Sequence, residues 1–199
     1  MKGKVSKNKF LKVVLPALLV VAIICQAVGF QAVLAKGNVA TTSSDSISNL
    51  TDQQLQALTN PILQSYKADS SHKVWKMTND SRLAVLANQT NIENARLQEV
   101  VKLVNSEFVE KEIISSPLAM VYAQEKDVSY GDILIDIDQT SSITSSSNSK
   151  EAYKITIGEN GVRLTGASEN AIMHGLRTIQ NLIITNDGLV YGEIVDYRL

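Results

Sequence analysis

The hydrophobic pattern changes period several times along the chain, and each change marks an element. Ile133, Ile135 and Ile137 fall on one side of an alternating run, and Asp132, Asp136 and Asp138 fall on the other, with Leu134 among them. That alternation predicts a strand with one buried and one wet face. Tyr153, Ile155 and Ile157 alternate, Gly158-Glu159-Asn160-Gly161 supplies a turn, and Val162 and Leu164 alternate back. The Asn-Gly pair tolerates the left-handed backbone of a tight turn, so this segment reads as an antiparallel hairpin. Between and after these runs the period becomes helical. Leu97, Val100, Val101, Val104 and Phe108 share one helical face, and Thr90-Asn91-Ile92-Glu93 fits a capping box ahead of them. Ile172, Leu176, Ile179 and Ile183 line a second helix, with Ser168 at its cap and Glu169 in its positive first turn.

Shorter runs complete the pattern. Residues 74–77 and 82–86 are strand-like on either side of Asn79-Asp80, 118–122 is a short apolar strand, and 192–197 closes the chain as a strand after the turn Asn186-Asp187-Gly188. The order is strands, helix, several strands, helix, strand, which is not a strict βαβα alternation. The expected fold class is α+β, a largely antiparallel sheet with two helices packed on one face.

Upstream of Lys73 the pattern thins. Residues 36–50 are rich in Ser, Thr and Asn, and 51–68 carry only a narrow stripe of Leu55, Leu58, Ile62 and Leu63. One or two short helices are predicted there, Asp52 capping the first and Pro61 opening the second. Residues 36–72 are therefore read as a tether and 73–199 as the folded domain. Residues 1–35 differ again. Lys2, Lys4, Lys7, Lys9 and Lys12 are their only charges, and an uncharged apolar run from Val13 to Cys25 follows. With the small-residue site Val33-Leu34-Ala35, this reads as a secretory signal peptide of Gram-positive type, cleaved after Ala35. An uncleaved membrane anchor is the alternative for the same stretch. Membrane contact is expected only through this segment, and the expected location is secreted or cell-surface.

Composition narrows the function. The full 199 residues carry a net charge of −1 with 44% hydrophobic content. Five of the 19 basic residues precede residue 36, so an exported chain would hold 14 basic against 20 acidic residues. That balance argues against nucleic acid as a partner. One cysteine, Cys25, excludes a disulfide framework and a cysteine zinc site. His72 and His174 are too far apart in sequence to make a local ligand pair.

The search for chemistry returns no site. Phosphate loops, dinucleotide-binding turns, nucleophile elbows and His-Glu-x-x-His are all missing from the sequence. Asp136-Ile137-Asp138 has the form of a metal-holding Asp-x-Asp, but carboxylates on a strand's wet face ordinarily serve solubility, and no metal or cofactor is assigned. His174 lies on a helix flank and reads as a boundary residue. Trp75, Tyr122, Tyr153 and Tyr191 are the aromatics able to serve as sugar platforms if the chain is a stand-alone glycan-binding or cell-surface module; a glycan is thus a second partner class.

A resemblance enters at the hairpin and the helix behind it. Glu151 to Ile157, Gly161 to Ala167, and Ala171-Ile172-Met173-His174-Gly175-Leu176-Arg177-Thr178-Ile179-Gln180-Asn181-Leu182 resemble the N-terminal non-catalytic domain of glycoside hydrolase family 20, the β-N-acetylhexosaminidases. Gly131-Asp132-Ile133 and Asp80-Ser81-Arg82 resemble its earlier strands, and Ile194-Val195-Asp196-Tyr197 resembles its junction with the catalytic (β/α)8 barrel. The resemblance implies an accessory domain whose partner is that barrel, in an enzyme acting on terminal N-acetylhexosamine. Family members continue with Asp-x-Pro-Arg, whereas Asp196-Tyr197-Arg198-Leu199 lacks the proline and the sequence stops. The family's catalytic pair is an adjacent Asp-Glu, and that dipeptide occurs nowhere in the sequence. No catalytic residue is transferred, and the chain alone is expected to be inactive. Gly175 in mid-helix costs about 1 kcal/mol relative to Ala, which makes sense if the helix backbone presses closely on the sheet.

Overall fold

The hairpin forms as expected in the computed structural model, which describes residues 47–139, 143 and 150–197. Its strands are β6 (Tyr153–Gly158) and β7 (Gly161–Gly166), paired antiparallel with Gly158 opposite Gly161. Gly161 sits at φ +90°, and a Cβ there would come 2.6 Å from the Asp132 carbonyl oxygen, so the turn needs glycine twice over. The expected signal 1–35, the first part of the tether and most of the 139–149 loop lie outside the described residues.

The elements ahead of the hairpin are α1 (Asp52–Gln56), β1 (Ser65–Ala68), β2 (Val74–Trp75), β3 (Arg82–Leu86), α2 (Gln89–Ile92), α3 (Ala95–Glu110), β4 (Ala119–Ala123) and β5 (Ile133–Ile137). After it come α4 (Glu169–Asn186), β8 (Leu189–Val190) and β9 (Gly192–Asp196). Seven strands form one sheet in the order β1-β9-β6-β7-β5-β3-β4, and β2 pairs with β8 in a separate two-stranded sheet. Among these described helices none is long and apolar enough to cross a membrane.

The α+β class holds, and the antiparallel character belongs to one half of the sheet. β1, β9, β6 and β7 pair antiparallel, as do β2 and β8. β7, β5, β3 and β4 run parallel. The parallel half follows from chain connectivity. β3 and β4 are joined through the 16-residue α3, a crossover long enough to return the chain in the same direction. Residues 74–86 are therefore not a hairpin: β2 and β3 flank the Asn79-Asp80 turn but enter different sheets.

Both helices bury their expected stripes. Leu97, Val100, Val101, Val104 and Phe108 of α3 share one contiguous core with Ile172, Leu176 and Ile179 of α4 and with Leu83, Val85, Ile133 and Ile135 of the sheet. α4 lies against β5, β6 and β7 and also touches α3. Gly175 permits that closeness: a Cβ there would stand 2.3 Å from Leu164 Cδ1. Ser168 caps α4 through the Ala171 N–H, and Glu169 accepts from Asn94 Nδ2 at 2.6 Å, which holds its carboxyl below the usual range and ties together the starts of the two long helices.

Four sequence expectations need correction. The helix start is not a capping box at Thr90. Asn88 caps α2 and Asn94 caps α3, each through its side-chain oxygen, so two asparagines divide the run. The folded body also begins well before Lys73. Ile47 and Leu55 belong to the main core, and β1 hydrogen-bonds with β9, so much of the expected tether is structural. Thr51 rather than Asp52 caps α1, through a reciprocal box with Gln54, while Asp52 accepts from the Ala68 N–H. Pro61 follows a cis peptide bond and opens no helix.

Candidate functional site

β5 carries the alternation of Ile and Asp, and its acidic face is not wet. It is a central strand, with β3 on one side and β7 on the other, and every one of its residues is buried. Asp132 is 1% exposed and Asp136 is 6% exposed. Neighbouring strands supply the compensation a buried carboxylate needs. Arg82 of β3 donates Nε and Nη2 to the two Asp132 oxygens at 2.8 and 2.5 Å, and the Ser129 N–H adds a bond at 2.8 Å. Burial opposes charge on Asp132, but these donors outweigh it and hold the carboxyl below its ordinary value. Asp136 accepts from Asn91 Nδ2 at 3.0 Å, Asn88 Nδ2 at 3.2 Å and Arg163 Nη2 at 3.2 Å. Arg163 also pairs with Glu125 in the single-turn helix Glu125–Asp127 that folds over this face. The acidic side chains at 132 and 136 thus tie β5 to β3 through Arg82 and to β7 through Arg163. Among the described residues no group of three or more His, Cys, Asp or Glu is placed to hold a metal ion.

Of the aromatics considered as sugar platforms, three belong to the interior. Trp75 is fully buried and donates its indole N–H to the Tyr130 carbonyl at 2.6 Å. Tyr153 is buried, its hydroxyl 2.6 Å from Thr178 Oγ1 and donating to Asp196 Oδ2 at 3.0 Å. Tyr191 is buried as well, and burial first, then the nearby Tyr130 hydroxyl, pushes its pKa up to about 12. Tyr122, on β4, is the exception and is 47% exposed. A ring with both faces packed cannot stack on a sugar, so the platform reading loses its principal residue, Trp75.

Two cavities bear on the residues considered above. One, of about 190 Å³, lies where the 59–63 segment meets α4 and the end of β9. Asp196, Thr178, His174 and Arg177 line it. Asp196 accepts from Tyr153 and from the Gln64 N–H at 3.2 Å. His174 Nε2 is 3.9 Å from Glu151 Oε2, a boundary position on the flank of α4. Arg177 forks onto Glu107 of α3 at 2.6 and 3.1 Å, which lowers the Glu107 pKa and raises that of Arg177. No sequence signal marked the Tyr153–Thr178–Asp196 cluster, because only the β6–β9 register places Tyr153 opposite Asp196. The other cavity, of about 490 Å³, is an open groove between the Glu125–Asp127 turn and the hairpin, with Arg163 and Thr156 on its walls. Asp196, Arg177 and Arg163 are each held by protein partners: Asp196 by Tyr153 and the Gln64 N–H, Arg177 by Glu107, and Arg163 by Asp136 and Glu125.

Comparison with known proteins then decides the family. The family model described as glycosyl hydrolase family 20, domain 2, matches residues 59–197. The chain belongs to that family. The family-20 match begins ahead of β1, in agreement with the sheet and ahead of the expected boundary at Lys73. Two solved structures share the fold. The chitobiase of Flavobacterium johnsoniae matches with a TM-score of 0.53 and 14% identity over 74% of this chain and 21% of its own. The N-acetyl-β-hexosaminidase of Streptomyces plicatus matches with a TM-score of 0.52 and 14% identity over 74% of this chain and 27% of its own. This chain thus spans about a fifth to a quarter of those enzymes. No curated protein matches it.

Proposed function

We propose that this family-20 domain is the non-catalytic support of an exported glycoside hydrolase acting on terminal N-acetylhexosamine, and that it cleaves no glycosidic bond itself. The observation that carries the reading is the state of the buried carboxylates: Asp132, Asp136 and Asp196 each accept bonds from protein donors inside a packed fold. A glycosidase needs two carboxyl groups facing each other across a substrate-sized gap. The catalytic barrel is the partner, and the helix layer is the surface offered to it. Leu103 on α3 and Ile184 on α4 are 50% and 53% exposed on the sides turned away from the core. The lysine-rich head and the apolar run of residues 13–25 support export.

The test supplies a family-20 barrel, produced separately, and measures co-elution with this chain. Complex formation is expected and should be lost in a Leu103→Glu/Ile184→Glu variant that keeps its native unfolding midpoint. Independent elution of the two proteins, or an unchanged complex with the variant, would contradict the proposed role.

A further inference from the structure

The sheet ends at β4, and its outer edge has an unusual make-up. In a parallel ladder each strand turns the N–H and C=O of alternate residues toward its neighbour. The Ala87 N–H donates to the Ala123 carbonyl, so Ala119, Val121 and Ala123 face β3, and Leu118, Met120 and Tyr122 face outward. The fold closes off the first of these itself. Asn105 of α3 accepts from the Leu118 N–H at 2.9 Å and donates to its C=O at 2.9 Å, as a neighbouring strand would. Among the described residues no strand pairs with the outward groups of Met120 and Tyr122. Edges of this kind are ordinarily blunted by charge or proline. Ala119-Met120-Val121-Tyr122-Ala123 contains neither.

We propose that two copies of the chain join edge to edge through β4, antiparallel about a twofold axis at Val121, and so continue the sheet from one copy into the other. The register follows from the available groups. Met120 of each copy lies opposite Tyr122 of the other, and each such pair exchanges both of its N–H···O bonds. The next outward residue, Leu118, is already satisfied by Asn105, which ends the ladder. The arrangement is self-complementary in side chains as well as backbone. Met120 and the half-exposed Tyr122 become cross-strand neighbours on one face, a favourable sulfur–aromatic pairing, and Val121 meets its own copy on the other. A neutral strip presents no like charges to itself, which favours a second copy over a charged peptide as the occupant.

The experiment uses the full chain with Cys25→Ala, into which Val121→Cys or Ala119→Cys is introduced. In the proposed register position 121 faces itself at a Cα separation of about 4.5 Å, within reach of a disulfide, whereas position 119 faces Ala123. Under mild oxidation the Val121→Cys chain should cross-link to a dimer at least tenfold faster than the Ala119→Cys chain. Adding Tyr122→Pro, which removes an outward N–H and spares the ladder to β3, should abolish the difference. Equal rates at the two positions, faster cross-linking at 119, or a rate at 121 that survives Tyr122→Pro would overturn the proposal. If the proline variant loses native Trp75 emission, the comparison of 121 with 119 decides alone.

Discussion

Replacing Gly175 by alanine sets two effects of known size against each other. Alanine in a helix interior gains about 1 kcal/mol over glycine. The added methyl at 175, however, would stand 2.3 Å from Leu164 Cδ1, 3.1 Å from Leu164 Cδ2 and 3.2 Å from Tyr153 Cδ2. Leu164 is fully buried, so it has no open space into which to swing, and overpacking of this kind costs about 1–3 kcal/mol. The net expectation is destabilisation by about 1 kcal/mol. The decisive form is a double-mutant cycle with Leu164→Ala, which alone should cost about 3 kcal/mol through its cavity. In that background both Leu164 contacts are gone and only Tyr153 Cδ2 at 3.2 Å remains, so Gly175→Ala should stabilise by up to about 1 kcal/mol, a coupling of about 2 kcal/mol. Trp75, the single tryptophan, is fully buried and reports urea unfolding by its emission. If Gly175→Ala stabilises the parent chain, or has the same effect in both backgrounds, α4 does not press on β7 as described.

Other perturbations test the polar framework. Asp132→Asn should cost about 2 kcal/mol at neutral pH, since it weakens charged bonds from Arg82. The folded pKa of Asp132 lies below its unfolded value, so its contribution is complete above about pH 5 and fades as pH falls through the folded pKa. The Asn variant should therefore show a shallower acid limb, with Glu107 and Glu169, whose pKa values are also depressed, retaining the remainder; an acid limb identical to that of the parent would rule out this role for Asp132. Trp75→Phe removes the donor to the Tyr130 carbonyl and should lower stability by about 1–2 kcal/mol in circular-dichroism melts. Asn105→Leu strips both bonds from the Leu118 backbone and should cost about 2–3 kcal/mol by the same measurement.

What could be read from the sequence was local in origin. The hairpin and the two long helices announce themselves through turn chemistry and period, and Gly175 carried its packing role in its residue type alone. The misreadings share a different cause. An alternation of Ile and Asp looks the same whether the acidic side meets water or meets Arg82 and Arg163 from adjacent strands, and only the sheet order distinguishes them. β1 is four residues long with one fully buried side chain, Tyr66, and its partner β9 is more than a hundred residues away. Trp75 was ambiguous for the same reason, because its acceptor, the Tyr130 carbonyl, is supplied by a distant loop. For the candidate site, the sequence yielded the family resemblance and the missing Asp-Glu pair, while the Tyr153–Thr178–Asp196 cluster existed only once β6 and β9 were aligned.

The central claim is that these residues build a support without bond-cleaving chemistry, and release of 4-nitrophenol from 4-nitrophenyl N-acetyl-β-glucosaminide by the purified chain tests it most directly. The account predicts a rate indistinguishable from buffer across pH 4–8, the range in which carboxyl pairs of glycosidases work. Turnover that co-purifies with the chain and disappears in Asp136→Asn or Asp196→Asn would contradict it.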